Sequence, residues 1–321
     1  MRGRILIPLA CAAALGLPHA SAQTYPARPL RIVVASAPGA TTDIVARIVA
    51  QKLTDALGQQ TAVDNRPGAG GNIAAELVSK SAPDGHMLLL GFPGLATNPA
   101  LYPKLGYDPQ KDLAAVSLVS SGPLLIVVHP SLPATSVRQL VALAKSRPGE
   151  LSFPSVGSGT TSHLSAELFK SMAGVDMLHV PYKSFPQALL DLSSGRLSLM
   201  INAIPGLLPY VKSGRLRALA VTSKERTAVL PELPPAHEAG LRGYEVVTWN
   251  GILAPAATPK DVIARLNAEI GKSLKTPDAR EQFLAMGFDA IPGTPEQFAA
   301  YIREETDKWA RVIRQSGAKL D

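Results

Sequence analysis

Leu30-Arg31-Ile32-Val33-Val34, followed by Ala35-Ser36 and the break Ala37-Pro38-Gly39-Ala40-Thr41, is the stretch that decides the fold. The first five residues read as a buried strand. After the break, Ile44, Val45, Ile48, Val49, Leu53 and Leu57 recur at helical spacing and stop at Gly58. The unit then repeats. Gln60 to Asp64 is a second short strand, the glycine-rich turn Pro67-Gly68-Ala69-Gly70-Gly71 leads into a helix from Asn72 to about Ser81, and His86 to Leu90 is a third strand, ended by Gly91-Phe92-Pro93-Gly94. Strand, turn and helix in alternation favour a parallel α/β sheet covered by helices.

Further along, two apolar segments look like crossings between lobes: Leu124-Leu125-Ile126-Val127-Val128, and Val246-Val247-Thr248-Trp249 with Gly251-Ile252-Leu253. Between them the rhythm returns, with a strand near Leu151-Ser152-Phe153, the turn Gly157-Ser158-Gly159, a helix from Ser162 to Met172, and a strand near Met177 to Val180. Two long amphipathic helices follow, Pro259 to Leu274 and Pro295 to about Gln315. The expected organisation is a leader over 1–22, a first lobe over 23–123, a second lobe over 124–245, and a return to the first lobe over 246–321. Two connections make a hinge, and a cleft between lobes is where ligands bind. One large α/β domain is the alternative.

The N-terminus reads as a secretory signal. Met1-Arg2-Gly3-Arg4 is basic, Ile5 to Leu17 is apolar, and Ala20-Ser21-Ala22 is a small-x-small cleavage pattern, so a cut near Ala22 and a periplasmic location are expected. Cys11 lies inside that segment, with Pro8 where a lipoprotein signal wants an aliphatic residue. It is the sole cysteine, so the mature chain would rely on its core rather than on disulfides. Losing Arg2 and Arg4 lowers the formal charge from +7 to +5, spread thinly over a chain poor in aromatics. This argues against a nucleic-acid platform, and a monomer is expected.

Enzyme signatures are missing or incomplete. Ser158 has Val156 and Thr160 where a nucleophile elbow needs glycines. Gly271-Lys272-Ser273 imitates a phosphate loop, but position 266 is Leu. The six histidines show no metal-ligand spacing on one helix, so no metal and no cofactor is expected. A Ser158/His163 nucleophile can be drawn, but no acid is evidently placed to orient it. What recurs is a small, hydroxyl-rich turn opening a helix: Pro38-Gly39-Ala40-Thr41-Thr42 and Gly157-Ser158-Gly159-Thr160-Thr161. Such turns present unpaired N–H groups at the positive end of a helix, and two of them facing across a cleft would hold a carboxylate at each end. The simpler reading makes Thr42 and Ser162 ordinary N-caps. Asp43, in the first turn of its helix, either complements the dipole or receives a ligand donor. Arg66 is expected to pair with Asp64.

These blocks resemble the Bug (TctC-like) periplasmic solute receptors of tripartite tricarboxylate transporters. The resemblance runs from about Tyr25 to the C-terminus. It is carried by Pro38-Gly39 with Asp43, Asp64-Asn65-Arg66-Pro67-Gly68-Ala69-Gly70-Gly71, Pro83-Asp84-Gly85, Tyr107-Asp108-Pro109, His163-Leu164 with Glu167, His179-Val180-Pro181-Tyr182-Lys183, and Trp249-Asn250-Gly251. It implies a periplasmic binding protein-like fold of two Rossmann-like α/β lobes on a two-crossing hinge, without catalytic residues. It further implies a small organic mono- or dicarboxylate as ligand and the membrane subunits of a tripartite transporter as partners. A sensor feeding a signalling partner is the alternative role. The expected ligand-contacting residues are the two turns together with Ser36, Phe92, His163, Tyr182 and Asn202. The family commonly has Phe at Ser36, a second Gly at Ala40, Asp at Asn202 and Gly at Ser184, which leaves the particular acid open.

Overall fold

The computed structural model describes residues 25–157 and 159–319. The expected leader, its Cys11 and Ser158 lie outside the described residues. The first sheet has the order β10-β4-β9-β3-β1-β2. Here β1 is Leu30–Val34, β2 Thr61–Asn65, β3 Met87–Gly91, β4 Leu113–Val128, β9 Val247–Pro255 and β10 Asp289–Ala290. Strands β2, β1 and β3 run parallel; β9 and β10 pair antiparallel to their neighbours. The helices of this half are α1 (Thr41–Leu57), α2 (Asn72–Ser79), α3 (Gly94–Leu101), α8 (Lys260–Leu274) and α9 (Pro277–Ala285), and α10 (Pro295–Ser316) begins here. The apolar run of β1 is explained by burial on both faces: Leu30, Ile32 and Val34 enter one core cluster and Val33 the other.

The second half holds α4 (Val137–Ser146), β5 (Ser152–Ser155), α5 (Thr161–Ala173), β6 (Leu178–Pro181), α6 (Phe185–Ser193), β7 (Leu199–Ala203), α7 (Ile204–Lys212) and β8 (Arg217–Val221). Strands β7 and β8 pair with β4, and β5 pairs with β6 in parallel. One strand therefore serves both halves. Up to Pro123, β4 is paired with β9; from Leu124 onward it is paired with β7 and β8. Leu124, Ile126 and Val128 point into one core and Leu125 and Val127 into another, the same two-faced burial as β1.

The two crossings lie side by side, since Pro123 pairs with Val247. Thr222, fully buried, ties them: its Oγ1 accepts from the Leu124 N–H at 2.7 Å and donates to the Val246 carbonyl at 2.6 Å. A third element spans the halves. On α10, Phe298 and Ile302 pack in the core beside the first sheet, whereas Trp309, Val312 and Ile313 pack in the core of the second half. The sequence expectation had placed all of 246–321 with the first lobe; the helical period of α10 reads as one amphipathic face and carries no sign of which core each turn meets. Among the described residues, no helix is long and apolar enough to cross a membrane.

Candidate functional site

The two hydroxyl-rich turns are built alike. Gly39 and Gly159 both adopt left-handed φ, 82° and 80°. The next residue of each, Ala40 (φ −69°, ψ 156°) and Thr160 (φ −69°, ψ 161°), is the N-cap, and its carbonyl receives the first helical bond, from Ile44 and Leu164. Each glycine N–H donates to the side chain four residues on: Gly39 to Asp43 Oδ2 at 2.8 Å, Gly159 to His163 Nδ1 at 3.0 Å. The helices thus begin at Thr41 and Thr161, not after capping by Thr42 and Ser162 as the simpler reading had it, and neither N-cap side chain makes a capping bond. The first-turn N–H groups of α1 and α5 are thereby presented outward at the positive ends of two helices of 17 and 13 residues.

Asp43 is a fastener of this geometry. Its carboxylate is buried and accepts from the Gly39 N–H, from Arg47 Nε at 2.9 Å and from Asn65 Nδ2 at 2.9 Å; Asn65 Nδ2 also donates to the Ser36 carbonyl at 3.0 Å. Burial pulls the Asp43 pKa up, but the hydrogen bonds from Arg47, Gly39 and Asn65 outweigh it and hold the carboxyl below its ordinary value. Arg66 pairs with Asp64, Nε to Oδ1 at 2.9 Å, as expected.

Both helix starts open into one cleft. Its larger chamber, about 370 Å³, is lined by Thr42 from the first half and by Gly159, Thr160 and Thr161 from the second, with Phe92 and Tyr102 as aromatic walls. A smaller chamber of about 230 Å³ shares Thr42, Thr160 and Thr161 and adds Thr41, Asn202 and Asn250. Among the described lining residues of both chambers there is no Lys, Arg, Asp, Glu or His. Phe92 is wedged between glycines: a Cβ on Gly71 would fall 2.0 Å from its ring, and one on Gly94 2.2 Å. Beneath it Asn98 Nδ2 donates to the Gly70 carbonyl at 3.0 Å and to Asn72 Oδ1 at 2.8 Å, and the Tyr107 hydroxyl to Asn72 Oδ1 at 3.0 Å, which fixes the glycine turn.

Of the residues expected at the site, Thr41, Thr42, Phe92, Gly159, Thr160, Thr161 and Asn202 line these chambers. Pro38, Gly39, Ala40 and Gly157 shape the turns behind the lining. Ser36 sits in the same turn as Pro38, its Oγ buried and, among the described residues, without a hydrogen-bond partner. His163 is buried behind its turn, stacked on His179 with ring centroids 4.0 Å apart. The Tyr182 hydroxyl donates to Asp191 Oδ2 at 2.6 Å; burial, with that bond added, pushes its pKa up to about 12. Asn202 Oδ1 accepts from the Ala203 N–H at 2.7 Å. Gly70, Asn98, Tyr102, Thr248 and Asn250 also line the cleft without having been singled out as contacts; Asn98 and Tyr102 belong to or follow α3, which Gly94 and Pro99 disguise as loop. Among the described residues no group of His, Cys, Asp and Glu could hold a metal ion.

Two α/β lobes joined through adjacent strands, with helix N-termini from both in the cleft, define a solute-binding receptor. The chain belongs to the family described as tripartite tricarboxylate transporter family receptor, matched over residues 45–318. It is 39% identical over 302 residues to the protein BugT of Bordetella pertussis, covering 94% of this chain and 93% of that one. Among solved structures it resembles Rpa4515 of R. palustris with adipate (TM-score 0.82, 38% identity, 92% of this chain and 99% of that one). It also resembles MatC from Rhodopseudomonas palustris with bound malate (TM-score 0.77, 32% identity, 90% and 100%). The family is one of solute-binding receptors rather than enzymes, and receptors of this family are periplasmic.

Proposed function

We propose that this protein is exported, cut near Ala22, and captures a small organic carboxylate between lobes divided near 123/124 and 245/246, delivering it to the membrane subunits of a tripartite transporter. The observation that carries the reading is the matched pair of turns: α1 and α5 start with the same backbone geometry and open their N-termini into one cleft. Each terminus contributes roughly half a positive charge, so the pair balances one carboxylate without a cationic side chain. The hydroxyls of Thr42 and Thr161 add donors. Adipate and malate on two relatives support the ligand class. A carboxylate held by both lobes favours the closed arrangement.

Thermal-shift screening against mono- and dicarboxylates, each beside its amide, tests the reading. A ligand at 100 times its Kd adds about 2.7 kcal/mol of stability. The expected result is stabilisation by at least one acid and not by its amide, with a smaller radius of gyration by small-angle scattering at saturation. Stabilisation by acid and amide alike, or only with a divalent cation, refutes it.

A further inference from the structure

The turn that opens α5 rests on two histidines. Gly159 donates its N–H to His163 Nδ1 at 3.0 Å. A nitrogen that accepts carries no proton, so the ring is neutral with its proton on Nε2, 3.9 Å from Glu167 Oε1. His179 stacks on it at 4.0 Å and on Phe153 at 5.2 Å. His179 Nε2 lies 2.7 Å from Ser155 Oγ, which in turn meets the carbonyl of Gly157 at 3.0 Å and its N–H at 3.2 Å. One ring therefore braces Gly159 and the other, through Ser155, braces Gly157. In the matching turn of the first lobe the brace is a carboxylate, Asp43.

We infer that His163 and His179 are positioning residues of the binding site: together they hold Gly157 and Gly159 in the binding shape of their turn, and protonating His163 releases Gly159. An imidazolium has N–H on both nitrogens, so Nδ1 would confront the Gly159 N–H donor to donor. Charge on one ring repels charge on the other at this spacing, and the start of α5 is the positive end of a helix. On α5 itself the groups near His163 are Glu167 and Lys170, paired at 2.9 Å. Strand β6 brings His179; β5 brings Phe153 and Ser155; β7 has no titratable side chain. Helix α10 packs against α5 and brings Glu305 and Lys308, paired at 3.1 Å. The two halves of the site thus differ: the Asp43 turn keeps its shape in mild acid and the histidine-braced turn loses it. The consequence for ligand capture rests on the carboxylate reading above; the switch in the turn does not.

The test is made on the ligand-free full-length mature protein by NMR and amide exchange, so its failure is separate from failure of the carboxylate screen. Between about pH 8 and about pH 5, the Gly159 amide resonance is expected to move together with the His163 ring resonances. Its exchange, corrected for the intrinsic rate, should be roughly tenfold faster in acid. His163→Asn supplies a non-titrating acceptor, and His163→Asp copies the Asp43 arrangement; in whichever variants fold, Gly159 should stay protected across the range. Gly159 protection unchanged by pH in the wild type, a proton on Nδ1 at neutral pH, or the same pH response in a variant overturns the proposal.

Discussion

Replacing Asp43 by Asn isolates the role of the fastener beneath the α1 turn. Oδ2 accepts from Gly39 N–H and Arg47 Nε, and Oδ1 accepts from Asn65 Nδ2. An amide offers one acceptor only. Placing its oxygen toward Gly39 turns its NH2 toward Asn65 Nδ2. Flipping Asn65 does not rescue the contact, because its oxygen would then face the Ser36 carbonyl that Nδ2 now satisfies. One buried charge-assisted bond is lost and a donor is left facing a donor, about 2–3 kcal/mol. The Arg47 contact adds little, since that side chain is 56% exposed. At about 2–4 °C per kcal/mol the melting temperature falls by roughly 4–12 °C. The pH dependence follows from linkage. The folded pKa of Asp43 is lowered, so its contribution is fully present above the ordinary carboxylate value and fades as pH falls through the folded one. Calorimetry of both proteins should show the full gap at about pH 7 and a shrinking one below about pH 4. A variant melting within about 1 °C of wild type at neutral pH, or a gap as wide at about pH 3, refutes the reasoning.

Thr42→Val and Thr161→Val each remove a hydroxyl from the cleft lining. Each should weaken carboxylate binding by about 1–2 kcal/mol in titration calorimetry, with the ligand-free melting temperature nearly unchanged. Asn202→Asp keeps the bond from Ala203 N–H and adds a charge to the smaller chamber. Plain dicarboxylates should bind about tenfold more weakly while amine-bearing acids lose less, and equal loss for both would place Asn202 outside ligand reach. Gly71→Ala puts a Cβ 2.0 Å from Phe92 Cζ at φ 91°, and urea unfolding should show a loss of about 1–3 kcal/mol.

The alternation of strand and helix was legible because segments 32–34 of β1, 88–90 of β3 and 124–128 of β4 are buried on both faces and so read as apolar runs. Gly58 announced the end of α1 through its left-handed φ of 68°. The two site turns were legible as glycine and hydroxyl clusters ahead of amphipathic helices. Their bracing was not. That Asp43 and His163 occupy the same place in two copies of one turn appears only when Gly39 and Gly159 are seen donating to them, since an acid and an imidazole share no sequence signature. The glycine-rich turn at 67–71 was visible, but not that it faces the cleft through Gly70. Helix α3 was hidden by Gly94 and Pro99 and by burial of Leu95, Ala96, Thr97 and Asn98 around it, which removes the usual two-sided pattern.

The two crossing strands and α10 together set the mechanics of the molecule. Adjacent, hydrogen-bonded crossings cannot shear or swivel independently; they act as a single leaf spring, clasped by Thr222 where the load passes. Helix α10 lies as a splint over that spring, touching α3, whose first residue lines the cleft from one side, and α5, whose start lines it from the other. Any approach of the two jaws has to be accommodated along this splint. The stiffness against which the ligand works is therefore set in part by the turns of α10 between Ile302 and Trp309, where side chains change allegiance from one core to the other, rather than by the residues that touch the ligand.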